Sequence, residues 1–278
     1  MPKTRLAYMP LNTYPSVMAD EAIRPAVGFA GALRCALHVT TYAVNIPRLS
    51  SPLGGLLLDV PGLARTAEES SRAECRRLGE LVREAAGPAA TLEITCREVD
   101  LGAVFDAATH AARYHDLSIL PWLDASLAPQ DMTQAVVFGS GRPTVIVPPS
   151  AGSDPVTHLA IAWDGSRAAA RALGDALALL PEDGRVTVLT VQDEKPLAGQ
   201  IAEALASSLE RRGVSARPIS VPIGRRKIAE ALQDAALESG ADLLAMGGFG
   251  HSRIRDFILG GATKGVFADL RLPVLLSH

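Results

Sequence analysis

The run "ADLLAMGGFGHSRIRDFILGGATKGVFADLRLPVLLSH" (Ala241–His278) decides how the rest of the chain reads. Asp242–Met246 is a short, nearly continuous apolar segment, the mark of a strand buried on both faces, and Leu272–Ser277 is another. Between them lies a glycine-rich stretch, Gly247–Gly265. Glycine inside a regular element costs roughly 0.5–1 kcal/mol against alanine. Glycines clustered directly after a strand therefore mark a backbone that bends unusually or lets another group come close. Gly260 and Gly261 open a helix, "ATKGVFADL". A strand, a glycine loop and a helix N-terminus at the carboxyl end of a parallel sheet together make an anion site from backbone N–H groups. The physical reading of this segment is a cradle for nucleotide phosphates.

Working outward, strands and helices alternate. "THLAIAW" (Thr157–Trp163) and the β-branched "RVTVLTV" (Arg185–Val191) read as strands. "SRAAARALGDALALL" between them reads as a serine-capped helix. "PLAGQIAEALASSLERRG" is a helix with a proline near its first turn and Gly213 at its end. "VSARPISV" is a weaker strand whose Pro218 argues for a sheet edge or an irregularity. "RKIAEALQDAALESG" is an amphipathic helix. The first half repeats the order, with strands at "RLAYMPL", "CALHVTTYAV", "TLEITCREV", "DLSIL" and "RPTVIVPP" and helices near Asp20–Arg34, Thr66–Ala86 and Gly102–Tyr114. "HDLSILPW…GRPTVIVPP" lines up with "ADLLAMGG…RLPVLLSH", so the chain reads as a duplicated α/β unit. Asn45–Gly62 is a Pro/Gly-rich insertion, read as a long loop. Pro148–Val156 is the linker, giving expected domains at 1–150 and 155–278.

Composition narrows the function classes. The chain has 278 residues and a formal charge of −3, with basic and acidic residues balanced in both halves, which speaks against a nucleic-acid partner. No apolar run approaches the roughly 18 residues of a membrane span. "MPKTRLAYMPLNTYP" lacks the apolar core of a signal peptide. Cys35, Cys75 and Cys96 have no CxxC spacing and read as incidental thiols. A cytoplasmic location is expected. No HExxH, GxSxG or paired-carboxylate motif is present, and His110 and His115 lack metal spacing, so no catalytic or metal residue is assigned.

Known phosphate loops fit poorly. There is no GxxxxGK[ST], and Gly248-x-Gly250 has Arg253 where GxGxxG needs glycine. What remains is Gly247-x2-Gly250-x9-Gly260, followed by a helix and "LPVLL". With "WDGSRAAARAL" (Trp163–Leu173), this closely resembles the universal stress protein (UspA-like) family, whose pattern is G-x2-G-x9-G-[ST]. The resemblance covers the second half well and the first half through element order and "RPTVIVP". It implies two tandem doubly wound, Rossmann-like domains, each a five-stranded mostly parallel sheet with helices on both faces. It also implies an adenine nucleotide, ATP or AMP (with Mg²⁺ in the case of ATP), in the second half. By the resemblance, Asp164 accepts a hydrogen bond from the adenine amino group and Val191 offers backbone contacts. Ala162 and Met246 supply apolar surface near the base, and Gly247 lies against the ribose. Gly250, Gly260 and Gly261 hold phosphates, on the segment that runs into Ala262 and Thr263. The family's Ser/Thr is Gly261 here, so a hydroxyl donor is missing; Thr263 is the nearest substitute.

The first half lacks these features. The counterpart of Asp164 falls near Leu11 or Asn12, and "PWLDASLAPQD" carries no glycine, so this half is not expected to bind ATP in the family's manner. Other readings stand beside the ligand readings. "DGS" is strong turn chemistry, so Asp164 is also a candidate turn former. Trp122 and Trp163 read as packing residues. His251, Arg253 and Arg255 read either as loop residues or as phosphate contacts. The resemblance makes the terminal strands pairing edges, so the two halves are expected to pair within one chain; a homodimer stays open. Three functions follow: a nucleotide-binding stress-response module, a nucleotide-free interaction scaffold of the same fold, or a slow ATP hydrolase.

Overall fold

Ten strands form one continuous sheet, in the order β3-β2-β1-β4-β5-β10-β9-β6-β7-β8. The computed structural model describes residues 4–47, 59–88, 90–123, 127–192, 200–248 and 261–278, without the side chains of 127–129, 192 and 261–264. The first half supplies β1 (Arg5–Asn12), α1 (Asp20–Ala32), β2 (Cys35–Asn45), α2 (Val60–Ala86), β3 (Leu92–Asp100), α3 (Val104–Ala112), β4 (Leu117–Pro121), α4 (Leu127–Gly139) and β5 (Thr144–Val147). The second half supplies β6 (His158–Ala162), α5 (Arg167–Leu177), β7 (Arg185–Gln192), α6 (Ile201–Glu210), β8 (Ser215–Pro222), α7 (Ile228–Glu238), β9 (Leu243–Gly247), α8 (Gly261–Ala268) and β10 (Val274–Ser277).

Within each half all strand pairs are parallel. The halves join by β5 with β10, the one antiparallel pair among the described residues, where Val145 faces Leu275. The expected pairing of the terminal strands within one chain is thus present. Helices cover both faces. One apolar cluster gathers Met9, Val39, Leu78, Ile161, Val188, Ala245 and the buried faces of α1, α2, α5 and α6. The other gathers Tyr8, Tyr42, Trp122, Ala160, Leu244, Met246 and the faces of α3, α4, α7 and α8. The alternation of side chains along each strand sorts residues one apart into opposite clusters.

The internal repeat is exact in register. Asp242 Oδ2 accepts from the amides of Thr157 (2.8 Å) and His158 (2.9 Å), and Asp116 Oδ2 accepts from the amide of Leu6 (2.9 Å). Leu159 faces Leu243 as Ala7 faces Leu117. Asn12 therefore stands where Asp164 stands, Pro121 where Gly247 stands, and Trp122 where Gly248 stands. The Pro218 strand, β8, is an edge strand as expected.

Two elements differ from the sequence expectation. The insertion Asn45–Gly62 does not stay a loop to its end: α2 begins at Val60, capped by Asp59, whose carboxylate accepts from the Gly62 amide at 2.9 Å, with a proline in the first turn. Residues 48–58 lie outside the described residues. Helix α4 fills the stretch between β4 and β5, where the sequence pattern predicts none. The expected proline-containing start of α6 also lies outside the described residues.

Candidate functional site

In the second half the chain leaves β6 on one side of the sheet through α5 and α6, then returns on the other through α7 and α8. The reversal falls between β6 and β9. The cleft outside the carboxyl ends of such strands is where ligands of open α/β sheets bind. Ala162 ends β6, Met246 and Gly247 end β9, and Val191 is the penultimate residue of β7. Ile161 faces Ala245 and Ala162 faces Leu189, so these ends lie on three adjacent strands about 4.8 Å apart. Met246 is buried, Ala162 and Val191 are half-buried, and all three belong to the α7–α8 face.

Val191 carries more than its side chain. The Trp163 amide donates to Leu189 O at 2.8 Å, so Leu189 turns its backbone toward β6. Val191, two residues on, repeats that orientation beyond the last residue of β6.

Asp164 sits in the turn between β6 and α5 and is exposed. Its Oδ1 accepts from the Ser166 amide at 2.9 Å, next to Gly165 with φ of 73°. Ser166 caps α5 by accepting from the Ala169 amide at 3.1 Å. The turn chemistry read from "DGS" is therefore real. It leaves the carboxylate at the mouth of the cleft.

This short turn has a consequence for Gly247. It seats the first turn of α5 directly on the end of β9. A Cβ on Gly247 would lie 2.6 Å from the carbonyl carbon of Ala168 and 2.7 Å from the Ala169 nitrogen. The close approach that Gly247 permits is therefore to α5, on the face opposite Met246. Gly265 is similarly explained, since a Cβ there would lie 2.6 Å from Ala229 Cβ on α7. The Gly248 amide donates to Ser277 O at 2.7 Å and so belongs to the sheet. Gly261, Ala262 and Thr263 form the first turn of α8, whose backbone N–H groups open toward this end of the sheet. Gly250, His251, Arg253, Arg255 and Gly260 lie outside the described residues.

The corresponding place in the first half is built differently. Asn12 is buried and its amide donates to Ser16 O at 3.2 Å. Pro121 and the buried Trp122 replace the glycines, and Trp122 stacks on Phe267 of the other half, with centroids 5.0 Å apart. Trp122 is thus a packing residue, as read from the sequence.

A buried polar cluster in the first half leaves no local pattern in the sequence, because its members are spread along the chain from Tyr8 to His115. His115 Nδ1 lies 2.9 Å from Ala111 O, and so carries the proton, leaving Nε2 to accept from His38 Nδ1 at 3.0 Å. His38 Nε2 then accepts from Thr95, at 3.3 Å. Tyr8 stacks on His115 and shares a 2.7 Å hydrogen bond with Tyr42. Burial pushes the Tyr8 and Tyr42 phenols up and the His115 imidazole down, which favours the uncharged form of each of these three groups. In the second half, His158 Nδ1 donates to Gly240 O at 2.9 Å and Nε2 accepts from Thr187 at 2.8 Å. A cleft of about 290 Å³ lined by Arg185, Thr187, Ser215 and Arg217 lies nearby, at the amino ends of β7 and β8, opposite the expected nucleotide site. There Arg217 is already bonded to Thr187 and to Ser239 O. Among the described residues, no cluster of metal-ligating side chains is present, and no helix is long and apolar enough to cross a membrane.

Residues 156–278 match the universal stress protein family. The chain carries a universal stress protein domain in its second half. No curated protein matches the chain by sequence. Among solved structures, a universal stress protein from Archaeoglobus fulgidus is 15% identical, covers 97% of this chain and 97% of its own, and superposes with a TM-score of 0.68. A functionally unknown protein from Pseudomonas aeruginosa is 13% identical, with 97% and 92% coverage and a TM-score of 0.54. These give the fold of the whole chain as the tandem universal stress protein type. A universal stress protein in complex with cAMP is 21% identical over 44% of this chain and 97% of its own, with a TM-score of 0.34.

Proposed function

We propose that this universal stress protein domain binds an adenine nucleotide, ATP or AMP, at the carboxyl ends of β6, β7 and β9, and that the chain acts as a stress-response sensing or regulatory module. In this reading residues 1–150 and 155–278 are the two domains and only the second takes nucleotide. The observation that carries it is the seat of α5 on Gly247, which holds the Asp164 turn and the end of β9 in fixed relation across the topological switch. The residues present suit the group. An exposed carboxylate at Asp164 matches an amino donor, half-buried Ala162 and Val191 and buried Met246 match a flat apolar base, and Val191 presents backbone polar groups beside them. The phosphates, with Mg²⁺ in the case of ATP, fall to Gly250, Gly260 and Gly261 and to the first turn of α8, where backbone N–H groups and the helix dipole favour negative charge.

The supporting experiment is direct. Protein purified without added nucleotide is denatured and the released small molecules are separated chromatographically. An adenine nucleotide released by the wild-type chain and absent from Gly260→Val supports the site. Wild-type protein that neither releases nor takes up ATP or AMP sinks it, leaving the nucleotide-free scaffold.

A further inference from the structure

Helix α2 runs antiparallel to β3, and two contacts fix their register. A Cβ on Gly79 would lie 3.6 Å from Ile94 Cγ2, and Arg72 Nε donates to Glu98 Oε1 at 2.8 Å. On the helix, Cys75 lies between Gly79 and Arg72. On the strand, Cys96 lies between Ile94 and Glu98, with the same side-chain parity and therefore on the same face. The register thus sets the two cysteines opposite each other on the facing sides of α2 and β3. Both are free cysteines; Cys75 is buried and Cys96 is exposed on an edge strand. Cys35 begins β2 six residues before Thr41, the partner of Cys96, about 20 Å along the strand and out of reach.

We propose that Cys75 and Cys96 form a peroxide-responsive disulfide pair that clamps α2 to the edge of the sheet. The accessible Cys96 thiolate attacks one oxygen of hydrogen peroxide. The O–O bond breaks, hydroxide leaves and takes up a proton as water, and Cys96 becomes a sulfenic acid. The Cys75 sulfur then attacks the Cys96 sulfur, the S–O bond breaks, and hydroxide leaves with the Cys75 proton as a second water. Two thiols and one peroxide thus give one disulfide and two waters. Burial pushes the Cys75 thiol up to about 12, so Cys75 stays protonated and waits as the resolving partner.

The site is connected to the first half's own strand ends. Ser71 lies one helical turn before Cys75 on the same side of α2, and both are buried. Thr13 donates to Tyr42 O at 2.7 Å and shares a hydrogen bond with Ser71, which accepts from the Val44 amide. Drawing Cys75 toward Cys96 acts on the residue directly after β1, next to Asn12, the counterpart of Asp164.

The test treats the full chain with hydrogen peroxide, quenches it, unfolds it, and alkylates the remaining thiols before intact-mass analysis and peptide mapping. The wild type should lose two of its three alkylatable thiols and become lighter by two hydrogen atoms, with one cross-linked peptide joining Cys75 to Cys96, reversed by dithiothreitol. Cys35→Ser should behave the same way. Cys96→Ser should keep Cys75 alkylatable at the same peroxide dose. A wild-type chain that keeps all three thiols, that carries Cys96 as sulfinic acid with Cys75 still alkylatable, or that links two chains through Cys96 overturns the proposal.

Discussion

Replacing Gly247 by alanine tests the packing on which the site is built. The added Cβ would fall 2.6 Å from Ala168 C, 2.7 Å from Ala168 Cβ and 2.7 Å from Ala169 N. Carbon atoms in contact sit at about 3.5–4.0 Å. Two of the three atoms are backbone of the first turn of α5, so no rotamer change relieves the overlap, and the helix must move by about 1 Å. Such overpacking costs about 1–3 kcal/mol. The control lies on the same helix. Gly174 is exposed in mid-α5, and a Cβ there meets nothing within 4 Å. Gly174→Ala should therefore gain roughly 0.5–1 kcal/mol through helix propensity. Urea unfolding of both variants, followed by far-UV circular dichroism, should move the midpoint in opposite directions. Moving α5 also shifts the Asp164 turn away from Met246, so Gly247→Ala should bind ATP more weakly while Gly174→Ala binds as the wild type does. A Gly247→Ala chain as stable as the wild type would refute the seat of α5 on β9.

Other outcomes follow from single contacts. Ser166→Ala removes the cap of α5 and should lower stability by about 1 kcal/mol in the same urea titration, with Ser166→Asp restoring most of it. Trp122→Ala empties a fully buried site stacked on Phe267 and should cost about 3–5 kcal/mol by thermal or urea unfolding, where Trp163→Ala, half-buried, costs less. Acid should destabilise the fold through His115 and His158, both held below the usual histidine range mainly by burial. The unfolded imidazoles take up protons near pH 6.5 while the folded ones resist, so the unfolded state binds more protons below that value. Their contribution is fully present above about pH 6.5 and is lost as the pH falls from there toward the lower folded values. Melting temperature measured against pH should fall through that window, and more shallowly in His115→Gln/His158→Gln.

Much of the fold was legible because local chemistry agrees with the global arrangement. The β-branched "RVTVLTV" has a strand's composition, "SRAAARALGD" carries its own cap, and Pro218 marked β8 as an edge. The repeat was legible in two pairs of strands. What was missed has physical causes. The start of α2 carried a usable signal, Asp59 followed by Pro61, inside a stretch whose glycines and prolines otherwise argue for a loop. Helix α4 has only a weak apolar stripe in "QDMTQAVVFG", although the sequence offers boundary signals in Ser126 before it and Gly141 after it. At the site, the turn role of Asp164 was readable from "DGS", and the nearness of Ala162, Val191 and Met246 from strand order. The reason for Gly247 was not. It depends on how few residues separate β6 from α5, and hence on where the helix lands. The His38–His115–Tyr8–Tyr42 cluster and the Trp122–Phe267 stack depend on residues brought together by topology alone, which no local pattern reveals.

The stoichiometry and location of nucleotide binding are the most direct test of the proposed site. Calorimetric titration of nucleotide-stripped protein with ATP should give one site per chain, weakened in Asp164→Ala and unchanged in Asn12→Ala. No binding at all, two sites per chain, or binding untouched by Asp164→Ala would contradict a nucleotide site at the carboxyl ends of β6, β7 and β9.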